Sequence, residues 1–195
     1  MNAIIILAAG ESSRMGSPKQ NLNYNGHTLL QLAVKNALAV AETVLVVLGA
    51  NRENIEYAIK DQPVQILINA NWIEGMASSI SLAVSELQTN YPQVTSAIVM
   101  VCDQPYADAE LLQQLINVGE QSDKGIIASA YNDTFGVPAL FKAKYLPYLL
   151  ALKGKDGAKK LLLMHADDVQ LIPFPLGAVD IDTTADYDRL MGDES

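Results

Sequence analysis

Five short apolar runs, rich in β-branched residues and leucine, recur along the chain at residues 3–7, 43–48, 65–68, 96–101 and 126–129. Uninterrupted runs of this length predict strands buried on both faces. Between them, residues 29–40, 52–59, 77–87 and 108–118 carry apolar side chains at helical spacing, the stripe of a helix lying on a sheet. The alternation predicts an α/β fold: a single-domain, three-layer α/β/α arrangement around a mostly parallel, Rossmann-like sheet. After residue 129 the pattern loosens into a short strand at 139–141, helices at 145–152 and 157–165, and a strand at 169–172. No repeat, low-complexity stretch or linker marks a second domain. One domain over 1–195 is expected, with 106–195 completing the sheet begun by 1–105.

Composition narrows the partners. With 13 Lys and Arg against 22 Asp and Glu, the net charge of −9 repels a polyanion, so nucleic acid is not an expected partner. No apolar stretch approaches the roughly 18 residues of a membrane span, and the N-terminus lacks the basic start of a signal peptide. A cytoplasmic protein is expected. The single cysteine, Cys102, excludes an internal disulfide and a multi-cysteine metal site.

Ligands of such sheets bind beyond the carboxyl ends of the strands. There the first run passes into Leu7-Ala8-Ala9-Gly10-Glu11-Ser12-Ser13-Arg14-Met15-Gly16-Ser17-Pro18-Lys19, whose small residues let backbone N–H groups approach an anion. Arg14 and Lys19 are its only cations, a fork and a point charge able to neutralise a triphosphate, or else two ordinary surface charges. The loop has neither the ending of a Walker loop nor the spacing of a dinucleotide fold, which disfavours an NAD-dependent dehydrogenase.

The fourth run ends in Asp103, a carboxylate at a strand's carboxyl end. It suits magnesium beside substrate phosphates, or simply the cap of a helix beginning near residue 107. Asp180 and Asp182, two residues apart, fall on one side of an extended segment. They can join that site, while Asp182 or Thr183 caps the last helix and Asp186 complements its dipole. Residues 69–80 join the third strand to a helix, and their glycine and hydroxyls suit a flat polar ligand. Local hydrogen bonding in a first helical turn accounts for Ser78 and Ser79 equally well.

The segment from Leu7 to Lys19 resembles the opening signature of the nucleotidyltransferases of molybdenum-cofactor biosynthesis, Leu-Ala-Ala/Gly-Gly-x-Ser-x-Arg-Met-Gly-x-x-Lys. The resemblance implies a nucleotidyltransferase-type α/β fold with a nucleotide-binding part at 1–105 and an acceptor-binding part at 106–195. It further implies that Leu7, Ala8, Ala9, Gly10, Arg14 and Lys19 bind the triphosphate, Arg14, Lys19 and Asp103 serving catalysis. Ala9 leans toward CTP over GTP. Asp103-Gln104-Pro105 and the segment from Asp180 to Tyr187 are similar to the cytidylyl branch, which assigns magnesium to Asp103 and Asp182, with Asp180 beside them; Thr184 and Ala185 stand where Pro-Glu is usual. The stretch from Asn69 to Ile80 resembles the base-reading segment, giving Asn71, Gly75 and Ser79 to the nucleotide. Gly136, Pro138, Asp156 and Gly157 fall in the two acceptor motifs, where Val137 and Lys155 depart from the usual His/Arg and Asp.

The implied activity is magnesium-dependent transfer of CMP from CTP to molybdopterin with release of pyrophosphate, a molybdoenzyme or its chaperone receiving the product. A sugar or polyol phosphate as acceptor, GTP as donor, and a non-catalytic nucleotide-binding chaperone or regulatory module are the alternatives.

Overall fold

The computed structural model describes residues 1–12, 15–16 and 18–192. Its strands are β1 (Asn2–Ala8), a small hairpin of β2 (Asn23–Tyr24) and β3 (His27–Thr28), then β4 (Thr43–Leu48), β5 (Gln65–Ile68), β6 (Ser96–Val101), β7 (Ile126–Tyr131), β8 (Thr134–Lys142) and β9 (Val169–Pro173). Apart from the hairpin, they form one sheet in the order β5-β4-β1-β6-β8-β7-β9. Strand β8 runs antiparallel to both neighbours, and the other pairings are parallel.

The helices are α1 (Leu29–Leu38), α2 (Arg52–Glu56), α3 (Met76–Asn90), α4 (Ala109–Gln121), α5 (Leu146–Leu150), α6 (Lys159–Met164) and α7 (Thr184–Gly192). Alternation along β1 sorts them into layers. Ile4, Ile6 and Ala8 face α1 and α4 through Leu30, Val34, Leu112 and Leu115, whereas Ala3, Ile5 and Leu7 face α3, α5 and α6 through Ile80, Val84, Leu149 and Leu162. Each fully buried aliphatic side chain contributes about 1.5–3 kcal/mol, so the strands are held from both sides. No described helix is long and apolar enough to cross a membrane.

Four local features differ from the sequence expectation. The helix expected over 52–59 ends at Glu56, and its continuation tightens into i to i+3 bonds before Pro63 while Ile59 stays in the core. Strand β8 spans nine residues rather than three, because a hairpin with β7 supplies backbone partners to a segment whose Gly136 and Pro138 interrupt the apolar pattern. The β2–β3 hairpin turns at Asn25-Gly26, both at positive φ, a two-residue turn signal the apolar pattern does not carry. Helix α4 is capped by Asp108, which accepts from Leu111 N at 2.9 Å, so Asp103 is not a helix cap.

Candidate active site

The loop after β1 returns to its own strand through the side chains of buried Gln20 and half-buried Ser12. Gln20, 1% exposed, donates through Nε2 to the carbonyls of Ala8 (3.0 Å) and Gly10 (3.1 Å). Ser12, at φ 57°, accepts from Lys19 N at 3.1 Å and donates to Gln20 Oε1 at 3.3 Å. This closure carries Lys19 back over the strand end. No sequence signal marks Gln20 for this role, since an uncharged amide in a loop has no pattern of its own. Arg14 lies outside the described residues.

Two bonds bring the C-terminal segment to the same place: Ile181 N donates to the Asp103 carbonyl at 3.0 Å, and Gln104 Nε2 to the Gly177 carbonyl at 3.0 Å. Ile181 is wholly buried, so its neighbours Asp180 and Asp182 share the opposite side of the extended chain. Lys19 Nζ donates to Asp103 Oδ2 and, at 3.0 Å, to Asp182 Oδ1. Burial acts to lower the Lys19 ammonium, but the charge of Asp103 and the bonds to both carboxylates overcome it and raise the group above its ordinary value. Partial burial, then the charges of Asp103 and Asp182, push Asp180 up to about 6. Asp186 accepts from Thr183 N (2.8 Å) and Thr183 Oγ1 (2.7 Å), bracing the start of α7.

Above these groups lies a cavity of about 320 Å³, walled by Leu7, Ala8, Ala9, Gly10, Lys19, Gln20, Trp72, Gly75, Met76, Ser79, Cys102 and Asp103 among others. Burial and the neighbouring Asp103 push the Cys102 thiol up to about 12, which leaves it an inert part of the wall. Gly75 sits at φ 112°, and a Cβ there would meet the Gly154 carbonyl oxygen at 2.4 Å. Ser79 is held by Asn69, whose Nδ2 donates to Ser78 Oγ (2.8 Å) and Ser79 Oγ (2.9 Å) while its Oδ1 accepts from Asn71 N (2.9 Å). Buried Asn69 is thus the organiser of this segment; Asn71 is exposed and outside the cavity wall.

A second cavity of about 230 Å³ shares Leu7, Met76 and Val101 with the first. Gly136 and Gly157 line it, together with Tyr131, Val137, Lys155 and Lys159. Pro138 and Asp156 are not wall residues of either cavity: the Pro138 carbonyl accepts from buried Ser129 Oγ at 2.7 Å, and Asp156 pairs with Lys160 at 2.7 Å on the surface.

Among the described residues no group of three His, Cys, Asp or Glu side chains closes around a metal. The donor set nevertheless suits a magnesium-like ion, which takes one or two carboxylates beside phosphates and water. Asp103 and Asp182 already converge on one cation, the Lys19 ammonium, and Asp103 Oδ1 is buried with no partner among the described residues.

Comparison with known proteins supplies the family. The family model for the MobA-like NTP transferase domain matches residues 4–169. The chain is 26% identical to the molybdenum cofactor cytidylyltransferase of Escherichia coli K12, covering 96% of this chain and 95% of that protein. It is also 26% identical to the purine catabolism protein PucB of Bacillus subtilis strain 168, covering 95% and 94%. Among solved structures, Rv0371c of Mycobacterium tuberculosis H37Rv in complex with manganese superimposes with a TM-score of 0.82 at 25% identity, covering 98% of each chain. The chain therefore belongs to the MobA-like NTP transferase domain family, and it is a nucleotidyltransferase built as one α/β domain on a mostly parallel sheet.

Proposed function

We propose that this nucleotidyltransferase transfers CMP from CTP to a molybdopterin-type phosphate in the cytoplasm, with magnesium, releasing pyrophosphate. The observation that carries the reading is the convergence of Lys19, Asp103 and Asp182 beside a cavity that shares three wall residues with a second one. Two substrates meeting across a common wall need such a layout, with the charge placed at the strand ends.

The loop from Leu7 to Gly10 cradles the triphosphate with backbone N–H groups, joined by Lys19 and, by family resemblance, Arg14. Gly75 and Ser79 face the base, Ser79 oriented by Asn69. Asp103 and Asp182, with Asp180 adjacent, would hold magnesium, which when bound neutralises charge on the reacting phosphates. An oxygen of the acceptor phosphate attacks the α-phosphorus in line. The bond from that phosphorus to the bridging oxygen of the β-phosphate breaks, and pyrophosphate leaves with the electron pair. A phosphate nucleophile needs no general base, so the side chains contribute positioning and charge.

Ala9, in the wall of the first cavity, supports CTP over GTP through the family resemblance. A specific observation also supports a second reading, another phosphorylated acceptor: Val137 and Lys155, the two departures from the acceptor motifs, both line the second cavity.

Turnover of Asp103→Asn with CTP and molybdopterin tests the site. Loss of at least about 100-fold, with circular dichroism and thermal midpoint retained, is expected; near-normal turnover would overturn the assignment.

A further inference from the structure

We propose that Lys155 and Lys159 form an anion clamp for the phosphoryl group of the acceptor, so that they select a phosphorylated acceptor and hold it opposite the nucleotide. The inference rests on the nucleotidyltransferase reading of the paired cavities and adds what the second cavity recognises.

The second cavity is apolar over most of its wall, through Leu7, Val99, Val101, Val137 and Ala158. The charged residues in that wall are Lys155 and Lys159, with no carboxylate among the wall residues, in a protein whose net charge is −9. A local inversion of charge inside a concave surface focuses potential on an anion. Neither lysine forms an ion pair among the described residues, because the neighbouring carboxylate, Asp156, is committed to Lys160 at 2.7 Å.

Lys159 is held through its side chain and Lys155 through the backbone before it. Lys159 Nζ donates to Thr134 Oγ1 at 2.9 Å, which ties it to the β7–β8 hairpin. Lys155 follows Gly154, whose carbonyl accepts from Ala77 N at 3.2 Å and lies so close to Gly75 that no side chain fits between them. The loop bearing Lys155 is thereby latched onto the segment that walls the nucleotide cavity. A lysine whose backbone is held in register with the nucleotide site suits an acceptor phosphate, and the apolar wall receives the rest of the acceptor. Tyr131, whose hydroxyl packs where Gly136 lacks a side chain, adds a phenolic hydroxyl to the same wall.

The experiment measures pyrophosphate release from CTP with molybdopterin as acceptor for the wild type, Lys155→Met, Lys159→Met and, as a control outside both cavity walls, Lys60→Met, whose ammonium lies over the Tyr57 ring. The acceptor KM rises about 10-fold or more in each of the first two variants, the effect of losing a hydrogen bond to a charged group. The KM for CTP and kcat stay within about twofold, and Lys60→Met behaves as wild type. Raising ionic strength raises the wild-type acceptor KM more than that of either variant. An unchanged acceptor KM in both variants, or a fall in kcat at constant KM, overturns the clamp.

If the wild type shows no turnover with molybdopterin, the acceptor reading fails and the clamp is read separately. Inorganic phosphate is titrated against the protein with its lysines carrying ¹³C-methyl groups. Saturable shifts of the Lys155 and Lys159 signals, absent at Lys160, support the clamp, and their absence refutes it.

Discussion

Replacing Gly75 by alanine tests how the two cavities are joined. At φ 112° and ψ −178° the residue occupies a region open essentially to glycine, so any side chain costs about 1–3 kcal/mol. The added Cβ would also stand 2.4 Å from the Gly154 carbonyl oxygen and 2.6 Å from its carbon, both backbone atoms that cannot rotate away. Relieving that overlap costs about a further 1–3 kcal/mol, for a total of about 2–6 kcal/mol. Two controls separate the terms. Gly154→Ala carries a positive φ of 59° with open space around it and loses about 1–2 kcal/mol. Gly10→Ala has neither problem and stays within about 0.5 kcal/mol of the wild type. Urea unfolding reads the three values, and thermal midpoints should fall by about 2–4 °C per kcal/mol in a domain of this size. The order Gly75 > Gly154 > Gly10 is the expected result; a Gly75→Ala protein as stable as Gly10→Ala would refute the close contact between the nucleotide-side segment and the loop that carries Lys155.

Lys19→Met removes the ammonium lying between Asp103 and Asp182, so Mn²⁺ measured by electron paramagnetic resonance without nucleotide should bind about 10-fold more tightly than to the wild type. Equal or weaker binding would show that the lysine does not stand where the ion would bind. Hydrogen bonds from Lys144 and Tyr145, outweighing burial, lower the Asp168 carboxyl from its ordinary 3.8 to about 2. A depressed carboxylate stabilises the fold above the unfolded value and loses that contribution as pH falls toward the folded one. Asp168→Asn should therefore be less stable than the wild type at pH 6, with the difference shrinking between about pH 4 and pH 2; a difference independent of pH would exclude this linkage.

The layers are legible in the sequence because the buried strands of a parallel sheet are continuous apolar runs, and β1, β4 and β6 lie where those runs predict; β5 has the predicted bounds but, as an edge strand, is only half-buried, with Ile68 exposed. Asp103, Asp180 and Asp182 stand out because a carboxylate that ends a buried strand, or alternates along an extended segment, needs a cation or a donor to face; the fold brings Asp103 and Asp182 onto Lys19, with Asp180 near enough to feel both charges. Gln20 and Asn69 do not stand out. Each is a neutral amide whose importance comes from burial and from the backbone or hydroxyl groups it satisfies, information held in the tertiary arrangement. The pairing of Lys19 with the carboxylates is equally hidden, since 84 and 163 residues separate the partners. Strand β8 outruns its apolar pattern because its length and register depend on pairing with β7.

The central claim is that the nucleotide and acceptor cavities work together. It is tested most directly by pyrophosphate release with magnesium and each of CTP, GTP, ATP and UTP, in the presence and absence of molybdopterin. Release that requires both CTP and molybdopterin is the predicted result. Release from CTP that is indifferent to molybdopterin, or none with any of the four nucleotides in its presence, would contradict the account.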